Sequence, residues 1–160
     1  MAKDKFPVTQ AIRMLKSSGV DYTLHHYKYK EKGGTERAAL ELKVDEHQVL
    51  KTLIMEDNTG EPMVVIMHGD KEVSTKALAR VLNVKTITPC EPKAAHQHTG
   101  YFVGGTSPLG VKKPLKIYFE KSIQDLPSIY INAGKRGLLA EMSSEDLINI
   151  IKPIPVNVAI

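Results

Sequence analysis

The stretch VLKTLIME at 49–56 sets the strongest limit on what this chain folds into. Strand alternation puts Val49, Lys51, Leu53 and Met55 on one face and Leu50, Thr52 and Ile54 on the other. Both faces are apolar, so the segment reads as a central strand covered on both sides. A turn at 57–60 and a second apolar run at 63–68 make it one arm of a hairpin. Lys51 is the anomaly on this strand. Two readings stand. It is a strand-end lysine that snorkels to water, or its ammonium is held in a pocket mouth. There it could bind a carboxylate, a phosphate or a developing oxyanion, or have its pKa lowered by desolvation.

The remaining segments supply the cover. A helix is expected over 9–18, with Thr9 as N-cap, Val8, Ile12 and Leu15 on one face and Gly19 as the stop. A strand over 22–29, a polar turn at 30–34 and a helix over 35–43 follow, the helix with Ala38, Ala39 and Leu42 inward. Ser74 caps a helix running through Asn83, with Ala77, Leu78, Val81 and Leu82 as its apolar stripe. A short strand at 84–88 precedes a helical turn at 92–98, which leads into an apolar run at 101–103. Strands at 115–120 and 128–132 and a helix at 143–151 close the order, and Ser143 with Asp146 makes a start resembling a capping box. At least six strands thus interleave with about four helices, which predicts a mixed α/β sheet in one layered domain. The length of 160 residues, 42% of them hydrophobic, fits one domain with a real core.

Two loops stand out. YFVGGTSPLG at 101–110 leaves an apolar run through paired glycines, two hydroxyls and a proline. Gly104 and Gly105 permit positive φ and close approach of a ligand to the backbone. Successive N–H groups there could form an anion nest or stabilise an oxyanion. The loop has neither the spacing of a P-loop nor that of a dinucleotide fingerprint, and glycines alone equally suit a structural corner. NAGKRGLL at 132–139 has the same character. Each loop has basic neighbours: Lys112, Lys113 and Lys116 follow the first, and Lys135 and Arg136 sit in the second. With a net charge of +4, this permits a polyanionic partner without requiring one.

Other chemistries lack sequence support. His25 and His26 point to opposite faces of their strand, and His96 and His98 have no third ligand at a recognisable spacing. Ser107 lies outside any G-x-S-x-G context, and no histidine is marked as its base. Cys90, the only cysteine, could be a nucleophile in principle, although a lone thiol is more often inert. It can form neither an internal disulfide nor a multi-thiolate zinc site. The N-terminal MAKDKFPVTQ has no apolar leader, and no stretch reaches the roughly 18–20 apolar residues of a membrane span. A cytoplasmic protein is expected.

The run HTGYFVGGTSPLG, the following KK, IYINAGKRGLLAE, and HHY followed by LKTL resemble the YbaK family of aminoacyl-tRNA deacylases, which is related to the editing domain of prolyl-tRNA synthetase. The resemblance extends over nearly the whole chain. It implies one YbaK-like domain over 1–160, with a mixed, strongly curved sheet of six or more strands and surrounding helices. It implies a trans-editing hydrolase that deacylates Cys-tRNA(Pro), lyase-like in character if the cysteine thiol assists. Alternatives are a deacylase for another misacylated tRNA such as Ala-tRNA(Pro), or a non-catalytic module binding tRNA or a synthetase. The implied catalytic residues are Lys51 and Gly104; the implied substrate-binding residues are Tyr27, Thr52, Gly105, Thr106, Ser107, Pro108, Asn132 and Gly134. The implied partner is the acceptor end of an aminoacyl-tRNA, with prolyl-tRNA synthetase as a second; no cofactor, metal, membrane or DNA is implied. The chain departs from the family pattern near Gly34, at Asn132 and Ala133, where many members have serine and glycine, and at Leu139. These departures bear on amino-acid specificity more than on reaction class.

Overall fold

Capping chemistry delimits the helices of the computed structural model, which describes residues 6–160. The first five residues, on which the expectation about the N-terminus partly rests, lie outside the described residues. Helix α1 spans Gln10–Ser18; the Thr9 hydroxyl accepts from the Ile12 N–H, and Gly19 closes it in the left-handed region. Helices α2 (Gly34–Leu42), α3 (Thr75–Leu82), α4 (Pro92–Thr99) and α5 (Ser144–Ile151) follow. Ser74 and Ser143 cap α3 and α5 through their hydroxyls, as the sequence predicts. Two side chains differ from expectation. Val8 and Val81 are exposed, and Ala11 and Ala79 take the inward positions beside them.

The strands are β1 (Thr23–His26), β2 (Leu50–Asp57), β3 (Pro62–His68), β4 (Ile87–Pro89), β5 (Lys116–Glu120), β6 (Ser128–Asn132), β7 (Leu138–Ser143) and β8 (Ile154–Val156). The expected single curved sheet of six or more strands is not what forms. The strands divide into a three-stranded sheet, β1-β7-β6, and a five-stranded sheet, β4-β2-β3-β5-β8. The reason lies in β2. One edge of β2 is taken by β3 from Leu50 to Glu56, and its other edge is paired with β4 over Met55–Asp57. Only a single bridge, Val49 to Tyr130, joins it to β6. The run at 101–103 also forms no strand: Tyr101 is buried, but Phe102 and Val103 are exposed.

The five-stranded sheet is mixed, antiparallel at β2 and parallel at β3-β5 and β5-β8. β3 is buried along almost its whole length, as an interior strand covered on both faces requires. Helix α3 covers one face through Leu78 and Ala79 against Met55, Val65 and Met67. The main core fills the other face, where Ile12 and Leu15 of α1 and Leu147 of α5 meet Ile54, Ile66 and Phe119.

A histidine pair at the end of β3 makes this fold sensitive to acid. His68 is 1% exposed, and its ring stacks on His47 at 3.7 Å between centroids. Its Nδ1–H donates to the His47 carbonyl at 3.0 Å, and its Nε2 accepts from the Ser122 hydroxyl at 2.7 Å. Burial holds its pKa below the usual histidine value; the bond to the His47 carbonyl and the Asp70 and Glu120 carboxylates oppose the shift, and the His47 ring reinforces it. The folded state therefore prefers the neutral ring, whereas the unfolded chain titrates near 6.5. Stability is fully present above that value and is lost as pH falls through it toward the lower folded pKa. Urea midpoints are expected to fall between pH 7 and pH 5, with a shallower fall in His68→Gln. An equal fall in both proteins would place the effect elsewhere.

Candidate active site

Between its contact with β6 at Val49 and its pairing with β4 from Met55, the outer edge of β2 has no strand partner. A cavity of about 410 Å³ opens there, where the two sheets part. It is lined by both faces of β2, by Asn132 and Leu139 of the three-stranded sheet, and by the loop that follows α4. Of the residues the sequence singles out, Lys51, Thr52, Gly104, Thr106, Tyr27 and Asn132 line it. Gly105, Ser107, Pro108 and Gly134 do not, and each has a local structural task or a buried position.

Lys51 stands on β2 with 19% of its side chain exposed, its Nζ 3.2 Å from Oε1 of Glu72. Glu72 itself is 78% exposed, so the pair sits at the solvent boundary. Thr52 presents a buried hydroxyl with no hydrogen-bond partner among the described residues. A buried polar group without a partner is unfavourable unless something supplies one.

The loop at 103–106 is held by backbone approach. Gly104 has φ +91, and a Cβ there would lie 2.7 Å from the Tyr29 hydroxyl. The N–H of Gly105 donates to the Phe102 carbonyl at 2.8 Å, so it is committed within the loop. The N–H of Gly104 has no acceptor among the described residues. The expected pair of donors is thus divided: one glycine closes the turn and the other is free. A Cβ on Gly105 would meet the Arg136 backbone nitrogen at 2.8 Å, so Gly105 permits this loop to pack on the 132–137 turn.

Asn132 locks the two loops together. Its Nδ2 donates to the Gly104 carbonyl at 3.1 Å and to the Lys135 carbonyl at 3.2 Å. Its Oδ1 accepts from the N–H groups of Gly134 at 2.7 Å and Lys135 at 3.2 Å. All four hydrogen-bonding positions of the carboxamide are used. Gly134 has φ +98, and a Cβ there would strike Tyr101 at 2.8 Å. Ser107 is fully buried, and its hydroxyl accepts from the Leu109 N–H at 3.2 Å.

Tyr29 was not among the residues expected here. It lines the cavity, packs its ring on Gly104 and lies 5.2 Å beneath the Arg136 guanidinium. Its two-residue spacing from Tyr27 was the available signal. Tyr27 has its pKa raised, chiefly by burial and then by Tyr29. Cys90 also lines the cavity, with its thiol pushed up to about 11 by burial and by the Glu56 carboxylate. A thiol at that value is protonated near neutral pH and is a poor nucleophile. No carboxylate and no imidazole lines the cavity among the described residues. Nor do the described residues contain a cluster of three or more His, Cys, Asp or Glu suited to a metal. Among them, no helix is long and apolar enough to cross a membrane. The arrangement is a cationic pocket that includes the free Gly104 N–H and is lined by no carboxylate or imidazole among the described residues. Such a site can hold and polarise an ester carbonyl or a phosphate.

Residues 30–150 match the family model of the aminoacyl-tRNA editing domain. The chain is 31% identical over 152 residues to an Enterococcus faecalis (strain ATCC 700802 / V583) protein named "Putative Cys-tRNA(Pro)/Cys-tRNA(Cys) deacylase EbsC", covering 94% of this chain and 93% of that protein. It is 30% identical over 97 residues to the proline–tRNA ligase of Streptococcus equi subsp. zooepidemicus (strain H70), covering 60% of this chain but 15% of the ligase. In fold it is similar to hypothetical protein APE2540, with a TM-score of 0.85, 23% identity and coverage of 95% of this chain and 100% of that one. It is also similar to a crystal structure described as "a putative trans-editing enzyme for prolyl tRNA synthetase", with a TM-score of 0.80, 16% identity and coverage of 95% and 98%.

Proposed function

Because this chain belongs to the aminoacyl-tRNA editing domain family, we propose that it is a trans-editing hydrolase, one deacylase domain over 1–160, which removes cysteine from mischarged Cys-tRNA(Pro). The observation that supports this most is the meeting of Lys51 and the free Gly104 N–H in one cavity that no carboxylate or imidazole lines. The ester carbonyl oxygen accepts from the Gly104 N–H, and the Lys51 ammonium faces the developing negative charge or the terminal adenosine phosphate. Thr52 lines the same cavity, and its buried hydroxyl lacks a partner among the described residues.

The nucleophile then comes from outside the protein: water, which the free hydroxyl of the terminal ribose can orient, or the substrate's own thiol. Attack by water forms a bond to the carbonyl carbon, the C–O bond to the ribose breaks, and the departing ribose oxygen takes the water's proton. Attack by the thiol releases the acyl group as a cyclic thioester, its S–H proton passing to the ribose oxygen, and water then opens that ring to free cysteine. Positioning and preorganised donors supply the rate enhancement. Such an enzyme works where tRNA is charged, in the cytoplasm, with prolyl-tRNA synthetase as the source of its substrate.

A panel of charged tRNAs tests the specificity. Cysteine is expected to leave Cys-tRNA(Pro) faster than alanine leaves Ala-tRNA(Pro), with Pro-tRNA(Pro) untouched. The two small side chains differ by about 1–3 kcal/mol in a pocket, so a preference of roughly 10- to 200-fold is expected. Preference for alanine would reassign the substrate. Binding of tRNA without release from any member of the panel would point to a binding module.

A further inference from the structure

Beside the cavity mouth stands an aromatic ring that the fold leaves uncovered. Phe102 is 67% exposed and Val103 is 49% exposed, although both sit next to the Gly104 loop. One face of the Phe102 ring is stacked on His96 of α4, with centroids 4.2 Å apart and planes 13° from parallel. The His96 ring is itself fixed, because its Nδ1–H donates to the Tyr101 carbonyl at 3.1 Å. The ring is therefore braced from behind and open in front.

Three cationic residues are anchored on the segments next to it. The Arg136 Nε donates to the Val103 carbonyl at 2.9 Å, which ties the guanidinium, itself over the Tyr29 ring, to the residue next to Phe102. The N–H of Lys112 donates to the Thr99 carbonyl at 3.0 Å and that of Lys113 to the His98 carbonyl at 3.2 Å, which anchors both lysines at the end of α4. The Lys112 Cβ also lies 3.6 Å from where a Cβ on Gly100 would stand. All three cationic side chains are exposed.

We propose that the Phe102–His96 pair is a stacking platform for an unpaired base of the tRNA acceptor end, one or two nucleotides before the terminal adenosine. Arg136, Lys112 and Lys113 meet the adjoining phosphates. The proposal rests on the deacylase reading, since it extends the same substrate outward from the cavity. Phe102 and Gly104 are two residues apart, which spans at most about 7 Å. That matches one or two stacked nucleotide steps of about 3.4 Å each. An exposed aromatic ring by itself would equally suit a protein partner. The cationic rim decides for a polyanion, because stacking on an aromatic side chain inside a basic groove is how single-stranded nucleic acid is held without base-specific hydrogen bonds.

The test uses an uncharged CCA-ended RNA minihelix carrying 2-aminopurine in place of the nucleotide before the terminal adenosine. Wild type and Phe102→Tyr are expected to change its fluorescence on binding, while Phe102→Ala loses the change and binds roughly tenfold more weakly or worse. Lys113→Gln is expected to weaken binding and to reduce the salt dependence by about one unit of slope. In deacylation, Phe102→Ala should lose about tenfold more on charged tRNA than on cysteinyl-adenosine, which lacks the upstream nucleotides. Minihelix affinity unchanged in Phe102→Ala would overturn the platform, and so would unchanged RNA affinity with lost binding to prolyl-tRNA synthetase, which would mark a protein contact. Failure of the wild type to release cysteine from either substrate would instead sink the deacylase reading, and the fluorescence result would still judge the platform.

Discussion

Lys51→Ala is expected to lower aminoacyl ester hydrolysis by about two to three orders of magnitude, as removal of one preorganised donor to a developing oxyanion does elsewhere. The fold should persist. The side chain is partly exposed, and its one ionic partner, Glu72, is mostly in water. A pair of that kind contributes about 0–1 kcal/mol. For a chain of this length, about 1 kcal/mol corresponds to a shift of roughly 2–4 °C in Tm. Activity and stability are thus predicted to separate. Lys51→Arg keeps the charge but replaces a compact ammonium with a planar fork, and it should recover little. Glu72→Gln distinguishes pairing from catalysis. If the lysine served only its ion pair, that variant would fall as far as Lys51→Ala; a decline of no more than a few-fold is expected instead.

Gly104→Ala is expected to have an effect of similar size by a different route. The backbone there lies at φ +91, and the new methyl group would stand 2.7 Å from the Tyr29 hydroxyl and 3.0 Å from its ring. Left-handed geometry alone disfavours a residue with a Cβ by about 1–2 kcal/mol. The loop relieves both strains by moving, which swings the free Gly104 N–H away from the carbonyl it serves. A loss of a hundredfold or more in single-turnover deacylation is expected, with a modest fall in Tm. Adding Tyr29→Phe removes the hydroxyl contact but leaves the backbone strain, so rescue should be partial. Asn132→Ala leaves the glycine intact but frees the loop from its anchor. It should cost more stability, about 1–3 kcal/mol for the buried groups left unpaired, and less activity. Wild-type rates in Gly104→Ala would remove the loop from the mechanism.

The local signals in the sequence were sufficient for the helices. Thr9, Ser74 and Ser143 each announce a cap, and each hydroxyl accepts the predicted N–H. Both arms of the central hairpin were equally plain, because apolar runs on both faces leave few alternatives. What escaped depends on pairing between distant segments. β7 follows a charged glycine turn and reads as its tail; it becomes a strand because β1 and β6 pair with it on either side. β8 contains Pro155 and lies beside another proline at 153, which depresses strand signals, yet it is held at the sheet edge by β5. The division into two sheets follows from how β2 shares its edges, and no local pattern encodes that.

The site was legible to a similar depth. Lys51 betrays itself as a charge on a strand apolar on both faces, and the paired glycines mark a close backbone approach. The separate tasks of those glycines are not legible, since Gly105 is explained by the Arg136 backbone and Gly104 by Tyr29. The four-bond clamp of Asn132 reaches a carbonyl 28 residues away, beyond any motif spacing. Ser107, the hydroxyl that draws the eye in the loop, is fully buried behind it.

The most direct measurement is the rate at which cysteine is released from Cys-tRNA(Pro), with wild-type protein and Lys51→Ala each in excess over the substrate. The expected result is rapid release by the wild type and a rate near spontaneous hydrolysis with the variant, both proteins being folded. Equal release by the two, or none above the spontaneous rate with the wild type, would contradict a Lys51-dependent deacylase acting in this cavity.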